Sequence, residues 1–229
     1  MLILVSICLF RLIGGNTVDN KSLWEKCWSK ENIDNLLPYL EKYNNLKSDE
    51  IDLFQKEKIK KACDAACGFG AYTLALASNG FIVKAFDISE NAAEITKEGL
   101  KRLGYDIDVK AASILQTGYA DSEFDGAFAH SVLDHMTFAD AKKGFAELCR
   151  IVRSGGLILV SFDEVDEDDL ALEHENQEDG CIRFTGDSAK NGMILHPYDD
   201  VWVEELLSGK EILYEAVNSK DEHVFIVRN

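Results

Sequence analysis

Between Ser22 and about Lys60 the apolar positions Leu23, Trp24, Cys27, Trp28, Ile33, Leu36, Leu37, Leu40 and Tyr43 recur at three- and four-residue spacings, the interval that puts side chains on one face of an α-helix. An amphipathic helical segment is expected there. From Ile59 onward short apolar runs alternate with helical stretches, the signature of repeated strand–helix–strand units and a parallel sheet. Strands are predicted near 61–65, 82–86, 107–111, 124–130 and 157–162, and helices at about 70–79, 90–103, 139–152 and 199–208, the second behind Ser89 as N-cap. Two last strands, near 211–217 and 223–228, are joined by a link too short for the crossover that parallel neighbours need, so they form an antiparallel pair. The expected architecture is α/β: seven strands, mostly parallel, with the last strand antiparallel and a reversed strand at the edge.

Composition narrows the class. The chain has 229 residues, 46% hydrophobic and 28% charged, enough for one domain with its own core. With 24 Lys and Arg against 41 Asp and Glu the formal charge is −17, a surface that repels phosphate backbones, so no nucleic-acid partner is expected. Six cysteines without a CxxC pair read as reduced thiols of a cytoplasmic protein. The apolar opening Met1 to Phe10 stops at Arg11, well short of the roughly 20 residues of a membrane span, and has no basic residues ahead of it or clear cleavage site behind it. No membrane partner is expected, and residues 1–21 read as a poorly ordered leader, with a truncated signal peptide as the alternative. The remainder, 22–229, reads as one domain: a helical cap (22–58), a half carrying a glycine loop (59–162), a variable insertion (163–198) and a last helix with a strand pair (199–229).

The most informative segment is KACDAACGFGAYTLALASNG, residues 61–80, an apolar strand running through a glycine turn into an alanine-rich helix. Small residues at Ala66, Gly68 and Gly70 let the backbone approach a ligand, although an ordinary tight turn uses the same residues. The strand FIVKAF ends at Asp87, where a carboxylate can accept from both hydroxyls of a ribose, and a further acid, Asp64, precedes the glycines. A dinucleotide fits less well: the third glycine of GxGxxG is Thr73 here, and Asp64 suits a cation better than a pyrophosphate.

At this point the chain resembles the class I S-adenosylmethionine-dependent methyltransferases. DAACGFGAYTLALA is similar to their first motif, with Ala66 in place of the usual first glycine, and AFDIS at 85–89 to the second. SEFDGAFAHSVLDHM at 122–136 resembles their fourth-strand motif, and ELCRIVRSGGLILVSF at 147–162 the helix, glycine turn and fifth strand that follow. The small-molecule branch, with its quinone-biosynthesis and tellurite-resistance enzymes, looks most similar. The resemblance implies a Rossmann-like sheet with helices on both faces and S-adenosyl-L-methionine as cofactor. It also implies that Asp64, Gly68 and Gly70 hold the cofactor's amino-acid end, Asp87 the ribose, Ile88 with Ser113 and Ile114 the adenine, and the backbone at His130 the methionine portion. Many relatives carry Asp where this chain has Ser113.

Methyl transfer from a sulfonium is an in-line displacement in which alignment alone supplies roughly 7–11 kcal/mol, so no base is compulsory. For a hydroxyl or ammonium acceptor a histidine is the natural proton acceptor. His130 and His135 fall on the strand-end loop with Asp134 able to orient a ring, the plainer reading of His135 being an anchor for the next helix. His196 and Tyr198 close the insertion and are candidate pocket residues or loop packing, while His174 and His223 read as surface positions. Trp24 and Trp28, four apart, either dock a helix or close it over the sulfonium. The acidic run DEVDEDD at 163–169 reads as a solvated loop, with attraction of a cationic acceptor or a metal as the alternative; without an Asp–Asn pair after the fifth strand no metal is expected. There is no Pro-Pro-Tyr after the fourth strand and no cysteine beside a proline, which argues against base-amino and pyrimidine-carbon acceptors. The expected function is methyl transfer to O, N or S of a small molecule. The alternatives are a sensor or inactive subunit that binds the cofactor without turnover, and a dinucleotide oxidoreductase.

Overall fold

The structure is a computed structural model describing residues 20–218 and 221–229. The expected leader falls outside the described residues except for Asn20 and Lys21, which begin the first helix. In chain order the elements are α1 (Asn20–Trp28), α2 (Ile33–Leu40), α3 (Asp49–Lys56), β1 (Lys61–Ala65), α4 (Ala71–Ser78), β2 (Ile82–Asp87), α5 (Glu90–Arg102), β3 (Asp108–Ala111) and β4 (Phe124–Ala129). They continue with α6 (Phe138–Ile151), β5 (Val152–Asp163), α7 (Glu167–Leu170), β6 (His174–Asn176), β7 (Ile182–Phe184), β8 (Ile194–Leu195), α8 (Asp200–Leu206), β9 (Glu211–Val217) and β10 (Glu222–Arg228).

The main sheet has seven strands in the order β3-β2-β1-β4-β5-β10-β9. The first five run parallel, and β10 is antiparallel to both its neighbours. The last strand is the reversed one, as expected, but it lies inside the sheet and β9 takes the edge. Burial decides which of the pair goes inside: β10 carries Val224, Phe225, Ile226 and Val227, all buried, whereas β9 alternates half-buried and exposed positions and suits a rim. A second departure concerns the glycine turn before the fifth strand. The strand begins directly after α6 at Val152, and Gly155 and Gly156 form an irregularity inside it, where a Cβ on Gly156 would lie 2.3 Å from the Asp125 carbonyl oxygen.

Residue parity gives the sheet its two faces. Cys63, Ala127, Ile158, Val160, Phe162 and Phe225 pack with α6 and α8, and Ala62, Phe128, Leu157, Leu159, Val224 and Ile226 pack with α3 and α4. Both faces of β5 are apolar because both are covered. Strand order reverses between β1 and β4, so the loops at their carboxyl ends diverge and leave a crevice, the usual ligand position in open α/β sheets.

Two additions roof that crevice. The Glu25 carboxylate on α1 accepts from the Glu90 backbone N–H (2.8 Å) and from the Asn91 side chain, so an acid of the cap sits on the positive end of α5. The insertion is not an open loop: β6, β7 and β8 form a small antiparallel sheet whose Ile182, Phe184, Met193 and Leu195 share a core with Leu23 and Cys27 of α1. Among the described residues no helix is long and apolar enough to cross a membrane.

The cap docks on the sheet through Phe54, which is fully buried and meets Phe128 edge-on at 4.6 Å between ring centres. Phe54→Ala is expected to cost about 3–5 kcal/mol, the range for emptying a buried aromatic site, read as a lowered urea midpoint.

Candidate active site

The loop between β1 and α4 is held open by specific bonds. Ala66, Gly68 and Gly70 all have positive φ (58°, 56° and 89°), a conformation glycine adopts freely and alanine only at a cost. Asp87, at the end of β2, accepts from the Gly68 N–H with Oδ2 (2.9 Å) and from the Ser89 N–H with Oδ1 (2.9 Å), clamping the loop to the start of α5. Thr96 on α5 donates its hydroxyl to the Gly68 carbonyl (2.7 Å), and a Cβ on Gly70 would meet the Thr96 methyl at 2.8 Å. Thr73, where a dinucleotide loop has its third glycine, donates to Asp64 (2.5 Å). Sequence reasoning cast Asp87 as a ribose ligand and missed its second task, shaping the loop.

The loop floors a cavity of about 170 Å³ at the carboxyl ends of the strands. Asp64, Ala66, Gly68, Asp87, Ile88 and Ile114 line one end, while Trp24, Trp28, His130 and His135 line the rest with the insertion's Lys190, Met193 and Leu195. Trp28 lies over the glycine loop, 3.2 Å from where a Gly68 Cβ would be, and Trp24 meets His135 edge-on at 5.4 Å, so both tryptophans of α1 face the cavity. The His130 ring stacks on Tyr72 at 3.6 Å, with Nδ1 on the Ser161 hydroxyl (3.1 Å).

Five of the candidate residues stand outside the wall. Gly70 sits behind the loop as the cap of α4, and Ser113 turns its hydroxyl to the Leu115 N–H (3.2 Å). His196 is buried on Trp202, each ring nitrogen 3.0 Å from a carbonyl oxygen, of Pro197 and Asp179. Tyr198 stacks on His223 at 3.5 Å and donates to Asp200 (2.7 Å). His223 and His174 are half-buried rather than surface groups: His223 bonds Glu164 (2.7 Å) and His174 the Leu172 carbonyl (2.8 Å). Asp134 is also absent from the wall; it is fully buried beneath His135 and accepts from the Asp163 N–H (2.8 Å).

The acidic run divides. Asp163 and Asp169 are buried in the cavity wall, which overturns a wholly solvated loop, and Asp169 pairs with Lys190 of the insertion. Asp64, Asp87, Asp163, Asp169 and Glu222 thus surround a space in which Lys190 is the only lysine or arginine among the described lining residues. Burial pushes Asp64 up to about 7, against the Thr73 hydrogen bond and with the Asp87 charge, and Asp87 up to about 6, against its two backbone donors. Burial likewise raises Asp134 to about 7, His135 opposing and Asp163 adding to the shift.

Comparisons with known proteins agree with this geometry. Residues 63–160 match the family described as methyltransferase domain. The matched segment runs from β1 to β5, so this part of the chain is similar to a methyltransferase domain. It is 26% identical over 146 residues to a demethylmenaquinone methyltransferase of Bacillus cytotoxicus, covering 60% of this chain and 59% of that one. It is 30% identical over 103 residues to a ubiquinone biosynthesis O-methyltransferase of Thiobacillus denitrificans, covering 44% of each. The chain thus spans 59% and 44% of the lengths of these two relatives. Among solved structures, an S-adenosylmethionine-dependent methyltransferase of Methanosarcina mazei shares the fold with a TM-score of 0.66 at 19% identity, over 80% of this chain and 98% of that one. A 1,6-didemethyltoxoflavin-N1-methyltransferase of Burkholderia thailandensis, solved with its substrate and S-adenosylhomocysteine, aligns with a TM-score of 0.64 at 14% identity, over 96% and 93% of the two chains.

The cofactor of this domain class, S-adenosylmethionine, suits the residues present. Its sulfonium and ammonium charges match an acidic cavity, the Asp87 oxygens keep lone pairs for hydroxyl donors, and Ile88 and Ile114 offer apolar surface to a base. The loop departs from the glycine pattern at Ala66, whose left-handed backbone costs roughly 1–2 kcal/mol in an L-residue. Ala66→Gly is expected to leave the protein as stable or up to about 1 kcal/mol more stable, part of the gain being offset by the freer unfolded chain; thermal unfolding checks it, and a loss above that size would refute the strain.

Proposed function

We propose that this chain transfers a methyl group from S-adenosylmethionine to an oxygen, nitrogen or sulfur atom of a small molecule. The observation that carries the reading is a single cavity with two chemically different ends. One end is the Asp64–Gly68–Asp87–Ile88–Ile114 cradle; the other is closed by the insertion through Lys190, Met193 and Leu195. When bound, S-adenosylmethionine supplies a methyl on a sulfonium, and the carbon–sulfur electron pair leaves on sulfur. The chain's part is alignment and the exclusion of water, for which the shared core of α1 and the insertion is suited. Small acceptors are supported by the names of two relatives, a demethylmenaquinone methyltransferase and a ubiquinone biosynthesis O-methyltransferase, and by an opposite wall too acidic for a polyanion.

On the acceptor side the group for the departing proton is His135. Its Nδ1 lies 3.2 Å from the Ile194 carbonyl oxygen and so carries hydrogen, which leaves Nε2 with its lone pair in the neutral ring. Nε2 faces the cavity next to Asp163. His135→Ala is expected to lower kcat for a hydroxyl acceptor by about 10²–10⁴-fold while leaving cofactor affinity within threefold; unchanged turnover would make the ring structural.

Calorimetric titration with S-adenosylmethionine, followed by a screen of small acceptors for release of S-adenosylhomocysteine, tests the function. Binding with turnover supports it; binding without turnover on any acceptor favours a sensor. The carboxyls give the titration a pH signature. Asp87 and Asp64 hold protons up to about 6 and 7 in the free protein, and a cationic, hydroxyl-bearing ligand favours their ionised forms. Binding then releases protons, so affinity should rise from pH 5 to about 7 and level off above it. A flat or falling profile would count against cofactor contact with these two groups.

A further inference from the structure

The wall on the acceptor side contains an arrangement that methyl transfer by alignment does not require. The buried turn Leu133–His135, just after β4, supplies Asp134 and His135, and the end of β5 supplies Asp163. One ligand atom from each lies within 4.8 Å of the others. The His135 Nε2 lone pair faces Asp163 Oδ2 at 3.9 Å, so two acceptors point at one another with no hydrogen between them in the neutral ring. Asp163 Oδ1 is already bonded by the Ser131 hydroxyl (2.7 Å), which fixes the carboxylate in this orientation.

Asp134 adds an independent sign. The residue has no exposed surface, its Oδ2 accepts from the Asp163 N–H, and its Oδ1 is buried with no hydrogen-bond partner among the described residues. A buried carboxylate oxygen without a donor costs about 1–3 kcal/mol or more, so such atoms are rare unless something binds them. Two carboxylates and one imidazole converging on one point are the donor set of a divalent first-row transition ion. Donors at about 2.1 Å from such an ion stand about 3.0–3.5 Å apart, so the 3.9 Å between His135 Nε2 and Asp163 Oδ2 closes by about 0.4 Å or a little more, and the pairs with Asp134, which lie within 4.8 Å, reach the upper spacing by closing no more than about 1.3 Å.

We propose that Asp134, His135 and Asp163 bind a divalent transition-metal ion whose remaining coordination positions open to the cavity. His135, Asp163 and Ser131 line that cavity, whereas Asp134 holds the ion from beneath. The two carboxylates balance the ion's charge, and the Asp–Asn pair sought in the sequence is replaced by residues from two different strand ends. The existence of the site does not depend on the methyltransferase reading. Its use does: an ion there would hold an acceptor hydroxyl and lower its pKa, replacing the free imidazole as the means of deprotonation.

Manganese and zinc alone are the probes, with the full chain. Electron paramagnetic resonance titration of Mn²⁺, and the thermal shift with Zn²⁺, should show one saturable site per chain, weakened at least tenfold in Asp163→Asn and in His135→Gln. Absence of binding up to millimolar metal, or binding unchanged in either folded variant, overturns the proposal. Should Asp163→Asn fail to fold, His135→Gln decides by the same criterion. S-adenosylmethionine titration of the same samples separates the two readings: metal binding without cofactor binding leaves this site standing and removes the methyltransferase assignment, and the converse removes the site alone.

Discussion

Carboxylates delivered to one buried edge govern this structure. β1 carries Asp64 one residue before its end, β2 ends in Asp87 and β5 in Asp163, and parallel strands necessarily place these ends on the same side of the sheet. Each is less than a tenth exposed. Burying ionised carboxyls without partners is costly enough that such groups take up protons or cations instead. The protein supplies only partial compensation, a hydroxyl each for Asp64 and Asp163 and backbone N–H groups for Asp87, and the one lysine among the described lining residues lies on Asp169. The cavity is therefore prepared for positive charge, and a sulfonium ligand is the counterpart the fold suggests.

That preparation depends on covering the site. The parallel sheet alone would leave the strand ends in water, where carboxylates are well solvated and exert weak fields. α1 and the insertion remove the water together, because Leu23 and Cys27 from one and Phe184 and Leu195 from the other bury each other. Among the described residues these side chains form one shared core. Movement of either one therefore opens apolar surface on both, a coupling that favours concerted opening for ligand exchange over fluctuation of a single loop.

The fold was legible because its signals are local and periodic. The β1–loop–α4–β2 unit declares itself through Ala66, Gly68, Gly70 and Asp87, and the apolar run of β5 through burial on both faces. What escaped the sequence depends on partners distant in the chain. The place of β10 inside the sheet follows from competition between two strands for β5. The core formed by the insertion with α1 joins Leu23 to Leu195, and the short strands β6, β7 and β8 have too few residues to show a period. At the site, His130 and His135 were identifiable from their position after the fourth strand, but His196 and Tyr198 were not separable from packing residues, since only the fold shows that their rings face Trp202 and His223. In DEVDEDD nothing distinguishes Asp163 and Asp169 from their solvated neighbours; one completes β5, and the other meets a lysine 21 positions later.

The two strand ends at the switch point share a feature that ties these threads together. Just beyond β1 and just beyond β4 the chain turns through a non-glycine residue with positive φ, Ala66 at 58° and Ser131 at 47°. Strain of this kind persists only where surrounding contacts determine it. At Ser131 those contacts are visible: its N–H donates to the Ser161 hydroxyl (2.9 Å) and its own hydroxyl to Asp163. The same Ser161 hydroxyl meets His130 Nδ1 (3.1 Å), and the Ser131 hydroxyl orients the Asp163 carboxylate. At Ala66 the flanking contacts are the Cys67 N–H on the Phe86 carbonyl (2.9 Å) and the Gly68 N–H on Asp87. In both places a residue that would relax as an extended chain is held bent by the neighbouring strand, β5 in one case and β2 in the other. The parallel register thus does more than build a core: it sets the backbone at the two lips of the crevice, the glycine loop at one and the turn of His130 and Ser131 at the other.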